Sequence, residues 1–369
     1  MDFSLDALRR WPDVEAPDLF AVDAADRLIL DESAALRAAC PAGGLVVIGD
    51  AYGALALGAA ADGARGIRVH QDSLTGERAL AANAARSGLA DAVSSLPLSA
   101  DLVRDARVVL VRLPRSLDAL RDIAGLIAAH AAPEVVVVAG GRIKHMTVAM
   151  NDVLAERFGR LDVTHARQKS RVLLAREPHD GRDPQPRQET HDGLIVCAFG
   201  GAFAGAGVDI GTRLLLEHLP ADIEAADPVI DLACGTGIVG TTLALRHPDL
   251  RVYACDASAV AVASARATAA ANGVADRMEV AQDDMLRSLA DGSATFIALN
   301  PPFHSGAAVH EGLAPRMFAD AARVLAPGGR LWTVWNSGLR YRPALERLVG
   351  PTRQIARNAK FTVTVSTRR

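Results

Sequence analysis

At 369 residues the chain is too long for one ordinary hydrophobic core, so two domains are expected. Half of the residues are hydrophobic, yet no apolar run is long enough to cross a bilayer, which argues against a membrane protein. The net charge of −3 neither demands nor excludes nucleic acid, and only Lys144, Lys169 and Lys360 are lysines among 40 basic residues. Cys40, Cys197, Cys234 and Cys255 follow no metal or disulfide spacing. The acidic start, MDFSLDALRRWPDVEAPD, lacks an apolar signal core. A cytoplasmic protein without a metal site or membrane partner is expected.

In chain order, GLVVIGD (44–50), GIRVH (66–70), ARVVLVRLP (106–114) and PEVVVVAGG (133–141) read as short buried strands. Alanine- and leucine-rich helical stretches separate them, the signature of βαβ units and a mostly parallel sheet. The polar, proline-bearing stretch REPHDGRDPQPRQET (176–190) then reads as an interdomain linker. Beyond it PVIDLACG (228–235), LRVYACD (250–256), RMEVAQDD (277–284), ATFIALN (294–300) and GRLWTVWN (329–336) repeat the alternation. The expected division is a first domain at 1–178, a linker at 179–190 and a second domain at 191–369.

The two halves also resemble each other. VVIGDAYGALA (46–56) aligns with IDLACGTGIVG (230–240), pairing Gly53 with Gly237. In nearly the same register Asp72 pairs with Asp256, SGLAD (87–91) with NGVAD (272–276), and VRLPRS (111–116) with LNPPFH (299–304). The reading is a duplicated fold whose first copy has lost its special residues. Val47 stands for Asp231, Ala51 for Gly235 and Arg112 for Asn300, and a cation at 112 suits a phosphate. Arg142, Lys144, Arg167, Lys169 and Arg171 cluster nearby in sequence and form a candidate RNA-phosphate patch.

The second copy carries the chemistry. Gly235, Gly237 and Gly240 follow a strand and open a helix, where glycine permits a sharp turn and close ligand approach. Asp231 and Asp256 flank that loop, and an acid ending the second strand is placed to hold ribose hydroxyls. Asp284 ends the third strand as a candidate acceptor for an adenine amine. These features leave open a dinucleotide or S-adenosylmethionine. NPPF, residues 300–303, favours the second. The Asn300 side-chain oxygen and the Pro301 carbonyl can draw the hydrogens of a conjugated amine and align its lone pair with a methyl. Pro301 and Pro302 fix the turn, and Phe303 offers a face for a base taken out of its stack. His304 reads as a brace for this loop, not as a general base.

DLACGTG, the terminal Asp256 and NPPFH together resemble the class I S-adenosylmethionine-dependent methyltransferases that modify exocyclic amines. With GVDIGTRLLLEHLP (207–220), AADRLIL, DAYGALA and NAKFTV, the whole chain resembles the bacterial rRNA (guanine-N2)-methyltransferases, the 23S more than the 16S enzymes. The resemblance implies two tandem Rossmann-like α/β domains with seven-stranded, mostly parallel sheets, the first degenerate. It implies S-adenosylmethionine as cofactor and a guanine of ribosomal RNA as substrate; separately, a monomer is the expectation, though nothing in the residues fixes the oligomeric state. Asp209, Gly211, Asp231, Ala233, Gly235, Gly237, Asp256, Asp284 and Asn300 are the implied cofactor-binding set. Asn300, Pro301, Pro302 and Phe303 are the implied catalytic set. Thr212 reads as the N-cap of a helix that Pro220 ends. Ala233 and Ala204 depart from the family's usual glycine and serine. Protein-glutamine methylation and an NAD-dependent dehydrogenase are the alternatives. A non-catalytic RNA-binding module is a third reading for residues 1–175 alone. NPPF argues against a dehydrogenase, and the degenerate first copy against a glutamine methyltransferase.

Overall fold

The computed structural model describes residues 3–223, 228–302 and 307–369. The chain divides into two compact units, Met1–Gln185 with Phe199–Gly201, and Pro186–Ala198 with Ala202–Arg369. Among the described residues no helix is long and apolar enough to cross a membrane.

In the first unit β1 (Leu45–Ile48), β2 (Ile67–His70), β3 (Val93–Ser95), β4 (Val108–Arg112), β5 (Val136–Arg142), β6 (Phe158–Val163) and β7 (Ser170–Pro178) form one sheet. Their order is β3-β2-β1-β4-β5-β7-β6. β7 runs antiparallel to both of its neighbours, β5 and β6. The four residues of β1 are all buried. Leu45 and Val47 belong to one apolar core and Val46 and Ile48 to another, one on each face of the sheet. A strand covered on both faces needs continuous apolar residues, not alternation.

The second unit repeats this plan. Its sheet holds, in chain order after a small hairpin, β10 (Val229–Leu232), β11 (Val252–Asp256), β12 (Met278–Gln282), β13 (Ala294–Leu299), β14 (Leu325–Asn336), β15 (Thr352–Arg357) and β16 (Phe361–Thr367). The order β12-β11-β10-β13-β14-β16-β15 matches the first unit strand for strand, with β16 antiparallel. The hairpin is β8 (Arg187–His191) with β9 (Leu194–Ala198), so four residues of the expected linker are in fact strand. Their side chains are exposed, and without an apolar face the stretch carries no strand periodicity. Asp192 and Gly193, both with positive φ, make the tight turn, an Asp-Gly signal that was present in the sequence.

Strand register tests the internal repeat. The helix Ala54–Ala61 starts at Gly53 (φ 96°) and the helix Ile238–Arg246 at Gly237 (φ 77°), as the pairing of these glycines expects. The next helices, Leu74–Arg86 and Ala259–Ala271, are capped by Ser73 and Ser258. Ile48 lies beside His70, and Leu232 beside Cys255. Gln71 therefore occupies the station of Asp256, and the expected pairing of Asp72 is off by one residue. The second copy has one more residue between its glycine turn and its second strand, a slip that composition in so alanine-rich a chain hides.

Candidate active site

β10 sits at the centre of the second sheet, with β11 on one side and β13 on the other. The chain leaves β10 toward β11, so a crevice opens at the C-terminal ends of these strands. The register aligns Leu232 with Cys255 and with Leu299. The loop 233–237, Asp256 and Asn300 thus emerge from one sheet edge.

Within the loop, Ala233 (φ 57°), Gly235 (φ 54°) and Gly237 (φ 77°) all adopt the left-handed region. A Cβ on Gly235 would meet nothing within 4 Å, leaving space for a ligand against the main chain. On Gly237 it would lie 2.8 Å from Ala265 Cβ, so that glycine serves close helix packing. Gly235 N donates to Asp256 Oδ2 at 3.0 Å, and Ser258 N donates to Asp256 Oδ1 at 2.9 Å. Asp256 thereby ties the glycine loop to the second helix start. Asp231 is buried beneath the loop, its Oδ2 accepting from Gly240 N at 2.8 Å. Burial, reinforced by the charge of Asp256, raises its pKa to about 7. Burial also pushes the thiols of Cys234 and Cys255 well up, which keeps both out of nucleophilic chemistry. Asp284 lies two residues past β12, is 4% exposed and pairs with Arg287 at 3.3 Å.

Asn300 follows the last residue of β13. Its Nδ2 donates to Thr212 Oγ1 at 3.0 Å and to Asp209 Oδ2 at 3.3 Å, while its buried Oδ1 has no partner among the described residues. Pro301 is buried and Pro302 exposed. Phe303 and His304 lie outside the described residues. Asp209, not Thr212, is the N-cap of the helix Ile210–His218, and accepts from Gly211 N and Thr212 N. Thr212 Oγ1 in turn donates to Asp209 Oδ2. Gly211 packs at this cap, where a Cβ would come within 3.1 Å of the Phe361 ring. The link between this helix start and Asn300 went unread in the sequence, because its members are 88 and 91 residues apart.

The first unit holds different groups at the same stations. Arg112, next to Val111 as Asn300 is to Leu299, is bound by Asp23 at 2.6 Å and Asp26 at 2.5 Å. Asp23 caps the helix Ala24–Ala38 with a capping box completed by Asp26. Arg112 is thus neutralised within its own unit, which corrects the expectation that it suits a phosphate. Burial lifts Asp26 to about 6 against the pull of Arg112. The acid missing at Val47 has moved: Asp50 accepts from Leu55 N and from Ala56 N, the counterpart of Gly240 N. Ala51 lacks the left-handed turn of Gly235. The expected basic patch also divides. Arg167 pairs with Asp31 and Glu32, whereas Arg142 and Lys144 line a cavity of about 360 Å³ with Arg115 and His145. Desolvation, then the charges of Arg115, Lys144, Arg112 and Arg142, lower the pKa of His145.

The chain matches the methyltransferase small domain over residues 193–365 and the RLMG N-terminal domain over residues 2–179. A 16S rRNA N2 methyltransferase of T. thermophilus, solved with AdoMet and guanosine, shares the fold across 100% of both chains, with a TM-score of 0.75 and 20% identity. Both units therefore have the methyltransferase fold, arranged in tandem. The ribosomal RNA large subunit methyltransferase G of Streptomyces avermitilis is 36% identical, over 97% of this chain and 95% of its own. The protein of the same name from Pseudomonas aeruginosa PAO1 is 35% identical, over 96% of each chain. On this near full-length identity, the chain belongs to the family of the ribosomal RNA large subunit methyltransferases G.

Proposed function

We propose that the second unit transfers a methyl group from S-adenosylmethionine to the exocyclic N2 amine of a guanine in 23S ribosomal RNA. The observation that carries this reading is Asn300, whose amide is held by its nitrogen while its buried oxygen has no partner among the described residues. A buried, unpaired acceptor is costly, and an amine hydrogen from a substrate relieves that cost. The space against Gly235 fits the cofactor, with Ala233, Gly237 and Asp256 shaping the loop around it and Asp231 holding the loop from below. When bound, the cofactor supplies a methyl on a sulfonium. Asn300 Oδ1 and the Pro301 carbonyl accept the two amine hydrogens and turn the nitrogen lone pair toward that methyl. On transfer the methyl's bond to sulfur would break as its bond to nitrogen forms, leaving the cofactor as a neutral thioether, and the surplus amine proton would leave to water. Asp284 is assigned to the adenine end, and Phe303 to stacking on the guanine.

In this reading the first unit serves the RNA. Arg115, Arg142 and Lys144 around one cavity support it, since phosphates are held by clustered cations. The test of the activity is to delete the gene and map N2-methylguanosine in both rRNAs by mass spectrometry. Loss of a 23S modification that a plasmid copy restores is expected. Loss from 16S alone, or unchanged guanines beside a missing methylated protein glutamine, would overturn it.

A further inference from the structure

We propose that Thr212 and Asp209 are positioning residues that fix which end of the Asn300 amide meets the substrate; this rests on the amine-methylation reading above. The two ends of a primary amide have nearly the same shape and opposite hydrogen-bonding character. Something must therefore decide which end is presented. Asp209 is a carboxylate and only accepts. Thr212 has one hydroxyl hydrogen, which it gives to Asp209 Oδ2, so it turns a lone pair toward Asn300. Both neighbours of the amide are acceptors, and only Nδ2 satisfies them, at 3.0 and 3.3 Å. A flipped amide would set an oxygen against two acceptors and present NH2 to an amine. The lock keeps Oδ1 as the acceptor.

Asp209 has no remaining capacity for another ligand. Its Oδ1 takes Gly211 N and Thr212 N, and its Oδ2 takes Thr212 Oγ1 and Asn300 Nδ2. A carboxylate offers about four such sites. This places Asp209 behind Asn300 and not on the cofactor, the role the family resemblance implied. The first unit supports the coupling independently. There the same two helix positions are both acids, Asp23 and Asp26, and the strand-tip residue is a cation, Arg112. In each unit the helix start dictates what the strand tip can hold.

The test uses the full-length protein, S-adenosylmethionine, and rRNA from the deletion strain. Asp209→Asn keeps a good helix cap but turns an NH2 toward Asn300, favouring the flipped amide. Its kcat should fall roughly a hundredfold, with S-adenosylmethionine affinity within about threefold of wild type. Thr212→Val should lose about tenfold or more in kcat, and Thr212→Ser, which retains the hydroxyl, should restore it. Parallel losses of turnover and cofactor affinity in Asp209→Asn would make Asp209 a cofactor ligand and overturn the proposal. Equal turnover in the Val and Ser variants would overturn it too. A second readout needs no RNA: the side-chain amide protons of Asn300, followed by NMR with selective asparagine labelling. Slow exchange in wild type and in Thr212→Ser, lost in Thr212→Val, upholds the lock even if wild type methylates no rRNA. Fast exchange in wild type removes the lock whatever the substrate.

Discussion

Ala233 bears backbone strain within the loop that opens the candidate site. Its φ of 57° places a Cβ-bearing residue in the left-handed region. That conformation costs about 1–2 kcal/mol, and glycine's greater freedom in the unfolded chain returns about half of it. Ala233→Gly should therefore stabilise the protein by about 0.5–1 kcal/mol, read from the denaturant midpoint at unchanged slope. Gly49, the counterpart in the first unit, already has φ 81°. Asn300 is the other informative residue. On the proposed reading Asn300 supplies an acceptor to the reacting amine, so in Asn300→Ala turnover should drop a hundredfold or more while S-adenosylmethionine still binds. Near-wild-type turnover would refute the amine clamp.

At the scale of the element, the strand–loop–helix unit from β10 assigns different tasks to glycines that look alike in sequence. Gly235 faces open space, and Gly237 faces the Cα and Cβ of Ala265 at 3.0 and 2.8 Å. Gly235→Ala should cost only about 1–2 kcal/mol of stability, from its backbone alone, yet weaken S-adenosylmethionine binding tenfold or more. Gly237→Ala adds overpacking to the same backbone strain and should cost about 2–4 kcal/mol. Chemical denaturation and titration calorimetry on the two variants separate these outcomes. If both variants lost stability equally and bound the cofactor equally, the assignment would fail.

For the whole molecule, two sheets of one topology differ in what fills their strand tips. In the first, Val47, Gln71 and Arg112 stand where the second has Asp231, Asp256 and Asn300, and Arg112 is closed off by Asp23 and Asp26. The full chain should bind one equivalent of S-adenosylmethionine by calorimetry, and two equivalents would contradict this account. The cavity by Lys144 leads to a separate expectation. Arg115 and Lys144 are exposed, so Arg115→Glu with Lys144→Glu should leave the fold intact. The pair should weaken rRNA binding and flatten its salt dependence by roughly one unit of slope per charge removed. Cofactor affinity should not change. Unaltered RNA affinity would remove this face from the RNA-binding surface.

What the amino-acid order determined by itself was local. Buried parallel strands declare themselves as short apolar runs, and left-handed turns as glycines, because each depends on a few neighbouring residues. The α/β duplication and the loop at 233–237 were legible on those grounds. The exposed strand Arg187–His191 was not, since it has no apolar face to set a period. Tertiary structure decided the partnerships. Asn300 meets Asp209 across 91 residues and Arg112 meets Asp23 across 89, and no periodicity records such pairs. Asp50 could replace the absent acid at Val47 because only the amide to be satisfied, not the donor's position in the chain, constrains it. Hydrogen-bond saturation is a property of the packed chain, and it takes the folded structure to show which buried polar atoms are satisfied.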